Sequence, residues 1–313
     1  MTRMSDVLVL GPQFRAPNLG VALARAGLAG PLVAITAGWQ EREGELAALE
    51  EHLGQPVTDL RLYQRAEGVF TQDPDLHAAC RQRQNALRRL QDLYRVRLDH
   101  AKAAARDLMR LADDSDVARA ARRSAIAALR RMDSEHLHAI RRIHAHFDAE
   151  WSAAHRPVLA GQRQELEHLL GTARTVCIAG GHVAVLLNRL RLFGLGVMLR
   201  DKPLVAWSAG AMAISERIVL YHDHPPQGAG NTEVFEAGLG LVRGIVCLPH
   251  AATRLALADA TRVGLLARRF APAACCSLDD GSLLHWRDGR LAFAAASWRL
   301  LRSGRLAPVE APP

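Results

Sequence analysis

The stretch Pro203-Leu-Val-Ala-Trp-Ser-Ala-Gly-Ala-Met212 is the most informative part of the sequence. Its apolar first half is typical of the end of a buried strand, and the residues from Ala209 onward favour a helix. Ser208 lies at the junction, where small neighbours such as Gly210 leave room for a sharp turn. The free N–H groups at the start of the helix could stabilise a negative charge that develops beside this serine. The stretch therefore predicts a nucleophile elbow or, more simply, a serine that caps an ordinary helix.

Two further apolar segments end in residues that suit the same chemistry. One of them precedes the pair Gly180-Gly181, whose glycines permit a tight turn with an N–H directed at a ligand. The other, residues 245–248, precedes Pro249-His250. Sites in open α/β sheets collect at the carboxyl ends of strands, so His250 is a candidate base for Ser208.

At four places the chain resembles the serine peptidases of family S51, the dipeptidase E and cyanophycinase group. The matching stretches are, in order, Gly180-Gly181 with Leu186-Leu187 and residues 190–194, then Trp207-Ser-Ala-Gly-Ala211, then His222-Asp-His-Pro225, then Phe235-Glu-Ala-Gly-Leu-Gly-Leu241 through Pro249-His250. The resemblance is good over residues 172–272 and loose over the first seventy residues. It implies the fold of the class I glutamine amidotransferase-like proteins, a flavodoxin-like parallel sheet.

The resemblance also implies an activity and its residues. The triad would be Ser208, His250 and Asp223, with the N–H groups of Gly181 and Ala209 as the oxyanion hole. The implied reaction is hydrolysis of a small peptide or amide bond through an acyl-enzyme, with aspartyl or β-aspartyl substrates as candidates.

Three residues are predicted to contact the substrate. His182 follows the glycine pair, where the dipeptidases usually carry asparagine. Arg254 and Arg262 lie just past the candidate base on a predicted helix, and each could pair with a substrate carboxylate or lie at the surface.

The third member of the triad has alternatives. The segment between Asp223 and His250 is a few residues longer than in the dipeptidases, which leaves Glu233 or Glu236 as the orienting carboxylate.

The order Ser…Asp…His of the α/β-hydrolases would instead combine Ser208 with Asp279 or Asp280 and with His285. Asp279-Asp-Gly281 is more typical of a turn between two strands, and Trp286-Arg-Asp-Gly-Arg290 of a second hairpin turn. We therefore expect a short antiparallel β meander at the end of the chain.

The first seventy residues alternate strands and helices. Strands are predicted at 7–10, 31–36 and 57–63, and helices at 19–28 and 46–53, a rhythm typical of a three-layer parallel α/β sheet. No G-x-G-x-x-G fingerprint is present, so no nucleotide cofactor is predicted. The five cysteines show no metal-ligand spacing, so no metal site is predicted, and their odd number fits a reducing cytoplasm.

Residues 74–157 differ from the rest of the chain. Between Pro74 and Gly161 there is no glycine, and apolar residues recur at helical spacing on both sides of Asp113-Asp-Ser-Asp116. Over 81–150 there are 16 Lys and Arg against 10 Asp and Glu, a net charge of +6. The pattern predicts a basic helical hairpin or small bundle inserted into a core formed by residues 1–73 and 158–313.

Several roles remain open for this insertion and for the chain. The helices could be a solvated face, a homodimer interface or, less in keeping with their interleaved acids, a nucleic-acid surface.

The chain starts directly in an apolar strand and has no stretch of about 20 apolar residues, so neither a signal peptide nor a membrane span is predicted. The leading hypothesis is a cytoplasmic serine peptidase of small peptides. The alternative is a binding or regulatory protein of the same fold, in which the insertion recruits a partner.

Overall fold

A mostly parallel β-sheet forms the centre of the protein in the computed structural model, which describes residues 6–28, 30–223 and 230–311. The strands are, in chain order, β1 (Val7–Leu10), β2 (Leu32–Ile35), β3 (Val57–Asp59), β4 (Thr175–Ile178), β5 (Leu204–Trp207), β6 (Arg217–His222), β7 (Gly230–Ala237), β8 (Ile245–Pro249), β9 (Ala274–Arg287), β10 (Arg290–Leu300) and β11 (Leu306–Pro308). The helices are α1 (Leu19–Ala26), α2 (Ala47–Leu53), α3 (Leu62–Gln72), α4 (Pro74–Arg110), α5 (Asp116–Glu150), α6 (Pro157–Thr172), α7 (Val183–Leu192), α8 (Leu195–Met198), α9 (Ala209–Ile214), α10 (Ala251–Arg254) and α11 (Ala260–Phe270). Short 3₁₀ helices cover Ala37–Arg42 and Ala153–His155.

The sheet separates two layers of helices. Among the described residues it has nine strands in the order β11-β10-β9-β1-β5-β4-β2-β3, with β8 beside β9. Five neighbouring strands are parallel to one another, namely β1, β5, β4, β2 and β3. Toward the other edge, β9 pairs antiparallel with β1, β10 with β9, and β11 with β10. Side chains of β1 alternate between the two cores: Val7 and Val9 pack with α3, α6 and α7, whereas Leu8 and Leu10 pack with α1 and α2. The predicted three-layer α/β fold is confirmed.

The third predicted strand is too long. β3 ends at Asp59, and the backbone of Arg61 is left-handed, with φ of 51°. Helix α3 begins immediately afterwards because the carboxylate of Glu43 accepts hydrogen bonds from the free N–H groups of Tyr63 and Gln64, at 2.9 and 2.8 Å. This cap comes from a residue some twenty positions earlier in the chain, where no local pattern indicates it.

The inserted segment folds as a pair of long helices, as its apolar spacing predicts. Asp73 caps α4 by accepting a hydrogen bond from the N–H of Leu76 at 3.0 Å, and Ser115 caps α5 through the N–H of Ala118 at 3.2 Å. The break between the helices therefore falls at the predicted aspartate-rich stretch. The division into a core of residues 1–73 and 158–313 and an insertion of residues 74–157 stays a prediction.

The inner face of the helix pair contributes to a core of its own. Apolar residues of α4 and α5 pack there with α11, with β8 and with the two-stranded arm that β6 and β7 form. A buried polar group crosses this core: Arg269 of α11 binds both carboxylate oxygens of Asp133 at 2.7 Å and the hydroxyl of Tyr94 at 2.9 Å. The insertion is thus packed against the arm and α11 on one face and is not solvated all round.

The prediction of a turn at Asp279-Asp-Gly281 is wrong, although the C-terminal strands are antiparallel as expected. β9 continues through this stretch because its two halves have different partners. The first half pairs in parallel with β8, Pro249 opposite Leu278, and the second half pairs antiparallel with β1, Leu10 opposite Leu283. The Asp-Asp-Gly sequence lies instead at a register irregularity of one continuous strand, and such bulges bend a strand without ending it.

No helix in the described ranges is both long enough and apolar enough to cross a membrane.

Candidate active site

Ser208 lies at a sharp corner between β5 and α9. Its backbone has φ of 50° and ψ of −117°, a conformation that residues other than glycine rarely adopt. Glycines provide the space around it: a Cβ on Gly180 would lie 2.9 Å from the Cβ of Ser208, and a Cβ on Gly210 would lie 2.3 Å from the carbonyl oxygen of Ile178. Ser208 thus occupies a strained corner at the carboxyl end of a central parallel strand, and its role as a nucleophile in an elbow stays a prediction.

His250 reaches the same cavity as Ser208. It follows β8 with a left-handed backbone, φ of 60°, and its N–H donates to the carbonyl oxygen of Leu278 on β9 at 3.1 Å. Both side chains line a cavity of approximately 900 Å³. No hydrogen bond joins these two described side chains, and such contacts are often long before substrate binds.

The cavity is formed largely by apolar side chains from the carboxyl edge of the sheet. Trp39, Trp207 and Met212 line it from three different segments, and Tyr221 and His222 extend into it from the end of β6. His222 is a residue whose place at the site was not predicted. A sequence signal is present, since His222 opens the matched stretch His222-Asp-His-Pro225, but within that stretch the resemblance assigns a role to the aspartate. His224 and Pro225 lie outside the described residues.

Two backbone N–H groups border the cavity beside Ser208. Gly181 has φ of 104°, and a Cβ there would lie 2.3 Å from the carbonyl oxygen of Gly38. Ala209 is the first residue of α9, so its N–H has no acceptor within the helix. Neither N–H donates to another backbone group in the ranges that the structure describes, and both residues line the cavity.

Asp223, the predicted third member, is engaged elsewhere. Its carboxylate binds the guanidinium of Arg262, at 3.1 Å from Nε with a second contact to Nη2, and accepts from the N–H of Ala256 at 3.0 Å. No hydrogen bond joins it to His250, and it does not line the cavity. Its role in the triad stays a prediction.

The glutamates that the sequence left open bind the helical insertion. Glu233 forms a two-point contact with Arg95 of α4, at 2.6 and 2.8 Å. Glu236 lies 3.0 Å from Nε2 of His144 on α5 and accepts from the N–H of Ala237. These contacts fix the β6–β7 arm against α4 and α5.

The carboxylates whose charge acts on His250 come from the bend in β9. Burial and the neighbouring Arg254 cation lower the pKa of His250, and the carboxylates of Asp280 and Asp279 oppose that effect. Asp279 accepts from the N–H of Ala252, two residues past His250, at 2.9 Å. The sequence pattern missed this neighbourhood because Asp-Asp-Gly is also the signature of a hairpin turn.

His285 does not take part in this cavity. It lies on the half of β9 that pairs with β1, and its Nε2 is 2.8 Å from the carboxylate of Asp6. The α/β-hydrolase arrangement of Ser208 with His285 is therefore not formed.

The three predicted substrate contacts occupy different positions. Arg254 is half-buried and lines the cavity beside His250, and its guanidinium has no carboxylate partner among the described residues. Arg262 is bound to Asp223 and does not line the cavity. His182 is exposed, caps α7 by accepting from the N–H of Val185 at 3.3 Å, and likewise lies outside the cavity lining.

Comparison with protein-family models places the chain among the peptidases. The model of peptidase family S51 matches residues 126–293, more than half of the chain, and the chain therefore belongs to this family. No curated protein matches. Among solved structures, the crystal structure of a peptidase from an acI-B1 Actinobacterium is similar over 98% of both chains, with 12% identity and a TM-score of 0.46. The family match includes Ser208, Asp223 and His250.

Proposed function

We propose that the protein is a serine peptidase that cleaves small peptides with Ser208 as nucleophile and His250 as general base. The observation that carries the proposal is the placement of Ser208 on a strained strand-to-helix corner that opens into the same cavity as His250. Membership of family S51 supports the reaction class.

The proposed reaction has two halves. His250 takes the proton of the Ser208 hydroxyl while the oxygen attacks the peptide carbonyl, and the N–H groups of Gly181 and Ala209 bind the resulting oxyanion. The protonated imidazole then gives its proton to the leaving amine. In the second half, His250 deprotonates a water that hydrolyses the acyl-enzyme and frees Ser208.

We further propose that Asp279 and Asp280 supply the charge that stabilises protonated His250. Both act on the pKa of His250 in the favourable direction, and Asp279 also binds the backbone next to it. This support is stronger than that for Asp223, Glu233 or Glu236, whose carboxylates are bound to other cationic or imidazole side chains.

The substrate is proposed to carry a carboxylate near the scissile bond. Arg254 places a cation at the cavity wall without a carboxylate partner in the described part of the chain, and an acidic side chain of the substrate would neutralise it. Aspartyl and β-aspartyl dipeptides fit this chemistry, as the resemblance to the dipeptidases implies. The recessed position of the serine favours small peptides.

Hydrolysis of a dipeptide panel tests the proposal. We expect wild type to cleave members with an aspartyl or β-aspartyl residue, and Ser208→Ala to lose at least about 10³-fold in kcat. Ser124→Ala, which changes an exposed serine on α5, is the matched control and should keep full activity. Absence of turnover in wild type over the whole panel would contradict the proposal and favour a binding protein of the same fold.

A further inference from the structure

A second cavity, formed by α3, α4 and α7, is lined by an excess of cations. Its volume is approximately 350 Å³. Four arginines line it, and Glu67 is the carboxylate among its lining residues. We call it the arginine cavity, defined by Arg81, Arg83, Arg88 and Arg189.

Arg83 is a buried cation that forms no close ion pair in the described chain, although the carboxylates of Asp148 and Glu236 act on its charge from farther away. Its residue is 7% exposed, and its Nε has no hydrogen-bond partner. Its guanidinium lies 3.9 Å from the centre of the Phe147 ring, on the side of α4 that faces α5. Burying a charge without a hydrogen-bonded partner is costly, and a ring face compensates for only part of that cost. Arg83 also lines the arginine cavity, so an anion bound there would reduce the cost of burying its charge.

Arg189 is paired with Glu67, but its hydrogen-bond donors are only partly used. Its Nη2 donates to Glu67 at 2.8 Å, while its buried Nε has no hydrogen-bond partner. A guanidinium has five N–H donors in a fixed planar fork, so one contact with one carboxylate oxygen leaves donors for a second acceptor.

The amide side chains of the cavity also have donors to spare. Asn188 accepts from Nε2 of Gln84 at 2.7 Å, and Asn85 accepts from Nη1 of Arg88 at 3.3 Å. Because their oxygens are used in these contacts, their NH₂ groups remain to donate to a ligand. The polar lining thus combines many donors with few free acceptors.

We propose that the arginine cavity binds a small ligand through a phosphoryl group, either free phosphate or the phosphate of a larger molecule. Guanidinium groups match the geometry of phosphate oxygens with paired hydrogen bonds, and several of them together suit a dianion better than a single carboxylate. Arg81 and Arg88 are exposed, whereas Arg83 and Arg189 are less exposed, so the proposed ligand would meet both accessible and shielded guanidinium groups. This binding site is separate from the proposed peptidase site and does not depend on it.

Calorimetric titration of the full-length protein with inorganic phosphate and with pyrophosphate tests the proposal, in a phosphate-free buffer at constant ionic strength. We expect saturable binding at one site per chain. Pyrophosphate binds more tightly if the natural ligand carries its phosphate on a larger group, and inorganic phosphate binds at least as well if the free ion is the ligand. Succinate, a dicarboxylate, should bind at least about tenfold more weakly than the better of the two.

Exposed arginines allow variants that keep the fold. The double variant Arg81→Gln/Arg88→Gln should weaken phosphate binding by about tenfold or more, because each substitution removes a charge-assisted hydrogen bond to the ligand. Arg130→Gln/Arg131→Gln removes the same charge from the exposed face of α5 and should bind as wild type does. Absence of saturable binding in wild type, or equal weakening by both double variants, would overturn the proposal. Activity on dipeptides is unaffected by either result, so the two proposals fail independently.

Discussion

At the scale of single residues, the acid that supports His250 is the most consequential assignment. We propose Asp279 and Asp280 at the bend of β9 for this role, whereas Asp223 holds Arg262 against the segment that follows α10. An imidazolium that loses its stabilising carboxylate is formed less readily in the transition state. The two carboxylates proposed to support His250 therefore lie on β9, a single strand where the sequence pattern predicts two strands joined by a turn.

Replacing these acids separates the two assignments. We expect Asp279→Asn/Asp280→Asn to lower kcat by about 10²-fold or more with little change in stability. Asp223→Asn should lower the free energy of unfolding by about 1–3 kcal/mol, because it weakens the contact with Arg262, while kcat falls less than about tenfold. Steady-state kinetics and urea unfolding of the variants measure both effects. A large loss of kcat in Asp223→Asn alone would restore Asp223 as the third member.

The pH dependence of catalysis reports the surroundings of His250. Burial and Arg254 lower its pKa from the ordinary value of 6.5, so neutral imidazole persists to lower pH. We expect the acidic limb of kcat/KM to lie below pH 6.5 in wild type. Arg254→Gln removes a positive charge that lowers the pKa of His250. In this variant the pKa of His250 rises, and the acidic limb moves to higher pH.

This shift is measured with a dipeptide that has no side-chain carboxylate, so that lost substrate binding does not obscure it. Arg243→Gln, on an exposed residue ahead of β8 that does not line the cavity, serves as control and should leave the limb in place. A limb that moves to lower pH in Arg254→Gln contradicts the account.

At the scale of elements, a buried ion pair fastens the inserted helices to the rest of the chain. The side chains of Arg269 and Asp133 are 1% and 3% exposed and join α11 to α5, and Tyr94 joins the same group from α4. Removing one partner leaves the other charge buried and unpaired, which is more costly than removing both.

Substitutions at this pair test that role. We expect Arg269→Met and Asp133→Leu each to lower the free energy of unfolding by about 3–5 kcal/mol, and the double variant to lose clearly less than the sum. The exposed pair Arg97 and Glu135 joins the same two long helices at 3.2 Å and provides the control, with an expected loss below about 1 kcal/mol for Arg97→Gln. Additive losses at Arg269 and Asp133 in urea unfolding would show that the pair is not coupled.

The elements differ in how far the sequence predicts them. Apolar runs predicted β1, β2 and the helix pair, because burial on both sheet faces and helical spacing are local signals. The cap of α3 by Glu43 and the continuation of β9 depend on partners distant in sequence, so local patterns gave wrong ends there. The placement of Ser208 and His250 at the same cavity could be predicted because each follows a short apolar strand, whereas their catalytic roles stay predictions. The partners of Asp223 and Glu236 could not, since Arg262 and His144 lie 39 and 92 positions away.

At the scale of the whole molecule, the strand order brings the site together. β5 and β4 are neighbours, so Ser208 and Gly181 meet at the carboxyl edge of the parallel strands. β8 joins the same sheet through β9, which places His250 and the Asp279-Asp280 bend beside that edge. The inserted helices α4 and α5 contribute to the cavity indirectly. They bind the β6–β7 arm, and Tyr221 and His222 at the end of β6 line the cavity. The site is thus a product of the sheet topology and not of any one segment.

Labelling with a fluorophosphonate probe tests the central claim, that this topology produces a serine activated by His250. We expect a single modification on Ser208, located by peptide mass spectrometry, whose rate falls at least about 10²-fold in His250→Ala. His222→Ala, a second histidine of the same cavity, is the control and should label within a few fold of the wild-type rate. Labelling of another residue, or an unchanged rate in His250→Ala, would contradict the account.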